Sequence, residues 1–234
     1  MKNNRLFRVG LSLLPELPAN GSGAHAAQHE EGLRVLDLLD GEQAAALEKE
    51  LSGRPRFADA HADFSISHSR RMVAVSFSRE RTGCDIQYAH PLKNHDGLAR
   101  RLFHPEELRY LDEASGARER SLRFCRLWAL KECFLKANGL SVFAMKKTPA
   151  FLLGKDDAGL SAAGGNIFFC RLAAGDFPYP RLAFHLYECS GDEAYVLAAA
   201  RKETETPPQA PETIWFSEKT LPFTHTAELR SMPV

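Results

Sequence analysis

The sequence has no surplus of charge of either sign, no long apolar run and no regular spacing of its few cysteines. Thirty basic and thirty acidic side chains give a formal net charge of zero, which disfavours a protein that coats nucleic acid. No segment approaches the roughly 18 apolar residues of a membrane span. The five cysteines lack any CxxC spacing, which argues against a disulfide framework or a zinc ribbon. These absences predict a cytoplasmic protein that binds neither nucleic acid nor a membrane.

The order of the predicted elements is typical of an α+β fold with two halves that meet near residue 80. Alternating or short apolar runs predict strands at 6–14, 64–67, 72–77, 83–87, 167–172, 182–187 and 195–200. Helical patterns cover 30–39, 42–51 and much of 96–137, whereas 21–23 is typical of a loop. We therefore predict an N-terminal α+β half at 1–80 and a C-terminal α+β half at 81–202. The proline-rich segment that follows predicts an extended tail at 203–234.

The stretch WALKECFLK, residues 128–136, predicts a helix with charges in unexpected places. At about 100° per residue, Lys131 points into the middle of a broad apolar arc, while Glu132 and Lys136 share the remaining polar face. A surface ion pair between Glu132 and Lys136 is one interpretation, and Lys131 could extend its ammonium group to an edge. The alternative is a cleft at the end of the apolar stripe, in which the lysines bind an anion and Glu132 binds a cation. Geometry alone leaves both open.

The run GCDIQ, residues 83–87, predicts a short strand that places Asp85 and Gln87 on the same face. An exposed acid at a strand end is the simpler interpretation. The sharper one is a magnesium site, because Mg²⁺ prefers carboxylate and amide oxygens together with substrate phosphates. Glu132 is then the natural second carboxylate.

The run FSISHSRR, residues 64–71, predicts a strand that ends in hydroxyl groups, an imidazole and two arginines. These groups suit a phosphate. A Ser-His-Asp hydrolase is the competing idea, but no GxSxG motif accompanies it. His25 and His29 have helical spacing, yet they lie in a Gly/Ala-rich segment without HExxH, which favours a loop over a zinc site.

Three of these runs follow one another along the chain: FSISHS, GCDIQ and WALKECFLK. In this order they resemble the signature of the Sfp-type 4'-phosphopantetheinyl transferases. Gly53-Arg54-Pro55 resembles the family's G-K-P turn, and RLFHPEEL, residues 101–108, resembles its R-F-F-x-x-x-E segment. The similarity is good from about residue 51 to 140.

The resemblance implies a pseudo-dimer of two similar α+β halves with the active site at their interface. It implies transfer of the phosphopantetheine group from coenzyme A to a serine of an acyl or peptidyl carrier protein. Magnesium is the implied cofactor and adenosine 3',5'-bisphosphate the second product. A fused pseudo-dimer needs no partner copy, so a monomer is expected.

Residue roles carry over from the same resemblance. The implied magnesium ligands are Asp85, Gln87 and Glu132, and Lys136 would also offset charge on the leaving group. Glu132, Glu107 or a metal-bound water would accept the proton of the attacking serine. The implied coenzyme A contacts are Arg54, Ser67, His68, Lys131 and Lys136.

This chain departs from the family pattern in two places. Gln87 stands where the family strand has an acid, so weaker magnesium binding is expected. The N-terminal half is short, and Arg34, Arg54 and Arg56 are candidates for its phosphate contacts.

A basic, partly apolar surface at 99–103 could receive an acidic carrier, although a solvated helix face accounts for Arg100 and Arg101 equally well. A magnesium-dependent coenzyme A or nucleotide phosphohydrolase and a non-catalytic coenzyme A-binding protein are the alternative functions.

Overall fold

The computed structural model describes residues 6–19, 21–41, 46–90, 95–153, 166–171, 181–189, 191, 193–203 and 210–231. The helices are α1 (Gly21–Asp40), α2 (His95–Leu102), α3 (Pro105–Asp112) and α4 (Ala117–Ala137), with a 3-10 helix at Val142–Lys147. In chain order the strands are β1 (Phe7–Leu13), β2 (Leu47–Lys49), β3 (Pro55–Phe57), β4 (Asp63–Ser69), β5 (Met72–Ser78), β6 (Thr82–Tyr88), β7 (Ala150–Phe151), β8 (Asn166–Arg171), β9 (Leu182–Cys189), β10 (Tyr195–Lys202), β11 (Glu212–Trp215) and β12 (Thr224–Ser231). The predicted α+β class is confirmed.

Two sheets pack against each other and carry one long helix on each outer face. A four-stranded sheet has the order β11-β1-β5-β4, and a six-stranded sheet has the order β6-β10-β9-β12-β8-β7. Alternate residues of β5 explain this layering, because Met72 and Ala74 join the core between the sheets while Val73 and Val75 join the core under α1. Strand β10 divides in the same way between the central core and the core under α4.

The two sheets meet along their edge strands β4 and β6. Ser67 Oγ accepts a hydrogen bond from the backbone N–H of Ile86 at 3.2 Å, and Ser69 Oγ accepts one from Tyr88 at 2.9 Å. Hydroxyl groups thus satisfy donors of an edge strand that would otherwise be unpaired. Because side chains alternate along a strand, His68 points to the opposite side from these serines.

Helix α4 approaches β6 closely at one glycine. A Cβ atom at Gly83 would collide with the carbonyl oxygen of Cys133, so only glycine permits this distance. The close approach sets the helix against the face of β6 that carries Asp85 and Gln87.

Two predictions of secondary structure are corrected, and the predicted tail gains detail. Helix α1 begins at Gly21, where a loop was predicted. Gly32 lets the helix lie against Ile66. The helix is held there by its buried side chains Val35, Leu36 and Leu39. Strand β2 stands in the predicted helix 42–51, of which residues 42–45 lie outside the described part. The predicted tail contains β11, which pairs in parallel with β1, and β12, which pairs with β8 and β9.

Among the described residues, no helix is both long enough and apolar enough to cross a membrane.

Candidate active site

Asp85 is the centre of a polar cluster where β4, β6 and α4 meet. The carboxylate is buried and accepts hydrogen bonds from Ser67 Oγ at 2.8 Å and from Lys136 Nζ at 2.6 Å. Lys136 also donates to Ser67 Oγ at 2.9 Å. Burial is the largest single effect and lowers the pKa of the Lys136 ammonium group, but Asp85, Cys84 and Glu132 together outweigh it, so the pKa is raised overall. The site therefore holds a charged lysine against a buried carboxylate.

Glu132 lies one helical turn before Lys136 and is half-buried. Burial is the main cause that raises the pKa of its carboxyl group, and the negative charge of Asp85 raises it further, whereas Lys136 lowers it. Two carboxylates that repel each other in a poorly solvated place form a site that a cation would stabilise. Glu132 is also a stronger base than an exposed glutamate.

Gln87 donates its amide N–H to Asp85 at 2.6 Å. The amide oxygen is the atom that a cation would need, so Gln87 must turn its amide group to act as a ligand. In the described part of the chain, no cluster of three or more His, Cys, Asp or Glu side chains could hold a metal ion. The two carboxylates and the amide nevertheless fit Mg²⁺, which commonly takes one or two protein carboxylates and completes its shell with phosphates and water.

Lys131, a predicted coenzyme A contact, and Glu107, a predicted candidate base, lie away from this cluster. Their charged groups are 3.0 Å apart and neither side chain is exposed to solvent. Lys131 also donates to Thr148 Oγ1 at 2.8 Å, while Glu107 accepts backbone N–H groups of His104 and Phe151. An ammonium group enclosed in this way cannot reach a phosphate. The pair connects α3, α4 and β7 inside the core.

Arg54 was predicted to contact the cofactor, but all three of its guanidinium nitrogens are bound to protein acceptors. Two of them form a bidentate pair with Asp63 at 2.6 and 2.8 Å. The third donates to the carbonyl oxygen of Lys136 at 2.8 Å. Arg54 thereby holds the turn at Gly53, whose φ of +84° favours glycine, against the end of α4. The other two arginine candidates are also paired, Arg34 with Glu31 and Arg56 with Glu48.

A cleft of about 450 Å³ begins at Lys136 and runs between α1, β4 and the turn at 52–55. His68 lies in its wall, and burial followed by the neighbouring His25 and Lys136 lowers the pKa of its imidazole. His25 and His29 line the same cleft. The sequence pattern assigned these two histidines to a loop because of the glycines beside them, whereas the helix that their i,i+4 spacing also allowed is the one observed.

Exposed basic residues also lie on α2, at the predicted docking surface. Arg100 and Arg101 are exposed, and Leu98 beside them leaves 40% of its surface exposed.

Sequence comparison places the chain in a family. The profile of the 4'-phosphopantetheinyl transferase superfamily matches residues 81–171. The transferase AcpT of Salmonella typhimurium is 30% identical over 151 residues, which cover 59% of this chain and 77% of AcpT. HetI of Nostoc is 31% identical over 120 residues, 49% of this chain and 50% of HetI. Sfp of Bacillus subtilis is 37% identical over 86 residues, 36% of either chain.

The chain belongs to the 4'-phosphopantetheinyl transferase superfamily. It aligns with half or less of the length of HetI and Sfp, so the roles of its residues require separate argument.

Proposed function

We propose that this protein transfers the 4'-phosphopantetheine group of coenzyme A to a serine of an apo acyl or peptidyl carrier protein, with magnesium and with release of adenosine 3',5'-bisphosphate. The observation that carries the proposal is the cluster of Asp85, Glu132 and Lys136 between β6 and α4, from which Lys136 also lines a cleft of about 450 Å³. All three relatives named above are described as 4'-phosphopantetheinyl transferases, and the reaction class follows theirs.

Each residue of the cluster has a distinct part in the proposed reaction. Asp85, Glu132 and, after its amide turns, Gln87 would hold magnesium, which neutralises charge on the pyrophosphate when bound. Lys136 would bind the pyrophosphate with its ammonium group. Glu132 would accept the hydroxyl proton of the carrier serine as its oxygen attacks the phosphorus that bears pantetheine. The bond from this phosphorus to the bridging oxygen breaks, and the bisphosphate leaves with the electron pair.

The same proposal includes the pseudo-dimeric architecture, with halves at 1–80 and 81–202 and the active site at their interface. Its support is that Ser67 and His68 belong to the four-stranded sheet whereas Asp85 belongs to the six-stranded sheet. Since β11 and β12 connect residues beyond 203 to both sheets, removal of this segment should affect both halves. The monomeric state and the cytoplasmic location remain predictions from the sequence.

One assay tests the proposed function against its alternatives. The protein is incubated with coenzyme A, Mg²⁺ and an apo carrier protein, and the carrier is weighed by intact-protein mass spectrometry. A gain equal to one phosphopantetheine group supports transfer. Release of the bisphosphate without this gain would indicate the phosphohydrolase, and binding without either product would indicate a coenzyme A-binding protein.

Replacing Gln87 with Glu should increase the affinity for magnesium, because an amide that now donates to Asp85 becomes a third carboxylate. The expected gain is about tenfold, corresponding to roughly 1.4 kcal/mol in binding free energy. Magnesium titration of the transfer rate measures it. Glu80→Gln, on the turn before β6, is the control for a change of one charge near this strand. An unchanged magnesium dependence of the Gln87→Glu protein would show that position 87 is not a ligand.

Replacing Arg100 with Glu should weaken docking of an acidic carrier, because the exposed face of α2 would change sign. We expect KM for the carrier to rise about tenfold with little change in KM for coenzyme A, since charges at an interface act mainly on association. Steady-state kinetics with each substrate varied in turn separate the two constants. Arg118→Glu, an exposed charge reversal on the first turn of α4, serves as the matched control. If both variants behave alike, α2 is not the docking surface.

A further inference from the structure

His61, in the loop between β3 and β4, lies between two carboxylates. Its Nε2 atom is 2.6 Å from Oδ1 of Asp40, and its Nδ1 atom is 2.5 Å from Oδ1 of Asp59. An ionised carboxylate only accepts hydrogen bonds, and a neutral imidazole carries a proton on one nitrogen only. Both contacts are hydrogen bonds when the ring carries both protons. The geometry therefore favours the imidazolium form of His61.

Asp40 is the last residue of α1, where a negative charge is unfavourable because the last carbonyl groups of a helix carry partial negative charge. Asp37 adds a second acid to the last turn, and this turn contains no basic residue. Asp40 is also buried, with 6% of its surface exposed. The imidazolium group of His61 thus brings from another segment a positive charge that the last turn of α1 does not itself provide.

The elements next to His61 place few other charges against it. The ring of Phe57 on β3 lies beside the imidazole, with centroids 4.5 Å apart, and an aromatic ring is a favourable neighbour for a cation. The charged residues of β3 and of the start of β4 are paired elsewhere: Arg56 with Glu48, and Asp63 with Arg54. The charged partners of His61 in the described part of the chain are therefore Asp40 on α1 and Asp59 in its own loop.

Both carboxylates favour the charged form of the imidazole. The hydrogen bond to Asp59 is the largest effect and raises the pKa of His61, burial lowers it, and Asp40 raises it again, so the pKa is raised overall. Asp59 is exposed, and water and salt weaken its attraction. The half-buried contact with Asp40 is therefore the one that connects the loop firmly to the helix.

The loop that carries His61 joins two strands that border the cleft. Pro55 of β3 and Phe64 of β4 both line it. Between Asp59 and His61, Ala60 has a φ of +53°, a conformation that is unfavourable for a residue with a Cβ atom and persists when the surroundings hold it in place. The hydrogen bonds of the two residues beside Ala60 provide this restraint.

We propose that His61 is a pH-dependent clamp, which as an imidazolium ties the end of α1 to the β3–β4 loop and releases the loop when it loses a proton. An imidazole in an unfolded chain titrates near pH 6.5. Because the pKa of His61 is raised in the folded protein, the stabilisation is fully present below about pH 6.5 and is lost as pH rises through the higher folded value. Alkaline pH therefore loosens the segment between two strands of the cleft wall.

NMR of the imidazole nitrogens in ¹⁵N-labelled protein measures the protonation of His61 directly, and the His61→Gln protein assigns its signals. We expect a midpoint above pH 6.5, with both nitrogens protonated below it. Asp40→Asn and Asp59→Asn should each lower this midpoint, because an amide attracts the imidazolium less than a carboxylate does. Asp59 is exposed, so its variant keeps the test valid if Asp40→Asn does not fold.

The melting temperature as a function of pH measures what the clamp contributes. Glutamine carries no charge, so His61→Gln should melt about 2–4 °C below the wild type at pH 6, a typical shift for losing one modest interaction in a chain of this size. The difference should disappear above the NMR midpoint. His90→Gln is the matched control, since the ring of His90 lies on Tyr88 at the far end of β6, and it should keep the pH dependence of the wild type.

Hydrogen exchange locates the released segment when wild type and His61→Gln are compared at the same pH. Amides of residues 57–63 should exchange about tenfold faster in the variant at pH 6 and at equal rates above the midpoint. The clamp is overturned if His61 titrates at or below pH 6.5, if neither Asn variant lowers its midpoint, or if the variant differs from the wild type equally at every pH. None of these measurements involves coenzyme A or a carrier, so the proposed function stands or falls separately.

Discussion

Glu132→Gln is expected to decrease the rate of carrier modification by about 10²–10⁴-fold, the usual contribution of a general base. The substitution keeps the volume of the side chain but removes both the proton acceptor and one of the two carboxylates that would hold magnesium. Because burial and Asp85 raise the pKa of Glu132, the wild-type rate should increase with pH as this carboxyl group deprotonates. The variant should lose that part of the pH profile. Intact-protein mass spectrometry of the carrier over time gives the rates.

The fold should tolerate this substitution, because removal of the Glu132 charge relieves its repulsion with Asp85 and leaves no buried charge unpaired. The melting temperature of the variant should therefore equal or exceed that of the wild type. Glu106→Gln on α3 is the control for loss of a partly exposed carboxylate, and its rate should not change. A Glu132→Gln protein that retains a tenth of the wild-type rate would show that Glu132 is neither base nor metal ligand.

Lys131→Met should decrease the free energy of unfolding by about 3–5 kcal/mol, because it leaves Glu107 as an uncompensated charge in the core. Glu107→Gln should cause a loss of similar size by leaving Lys131 unpaired. The double variant should recover most of the loss, since an amide at position 107 would keep the acceptor oxygen that its backbone donors need and no net charge would remain buried. Urea unfolding of the two single variants and the double variant gives the coupling energy of the pair.

Ligand binding by the same variants distinguishes a structural pair from a substrate contact. If Lys131 and Glu107 are confined to the core, the folded fraction of each variant should bind coenzyme A with wild-type affinity. The Lys131→Met protein and the double variant could instead both bind coenzyme A with a Kd at least tenfold higher than the wild type. That result would show that Lys131 contacts the phosphates of coenzyme A. Titration at low temperature, where the variants remain folded, makes the comparison possible.

Much of the fold followed from local pattern. Residues 72–77 alternate because one set of side chains enters the core between the sheets and the other enters the core under α1. The strand at 83–87 and the helix over 128–136 were also predicted correctly, as their apolar periods are clear. For α1, the glycines at 21, 23 and 32 weaken the local helical signal. Burial of Val35, Leu36 and Leu39 against β4 and β5 outweighs this weakness, and a short window of sequence does not contain that interaction.

Local order and spacing were enough to select the residues of the candidate site: three motifs in sequence, Asp85 and Gln87 on one face of a strand, and Glu132 one helical turn from Lys136. The pairing of the charges depends instead on contacts between distant segments. Lys131 lies in the apolar arc that the helical period assigned to it, and Glu107 from another helix neutralises its charge there. The ammonium group is therefore buried in the core and does not line the cleft. Likewise, β11 joins β1 across some two hundred residues of sequence. Neither periodicity nor propensity records such long-range pairings, because both describe only neighbours along the chain.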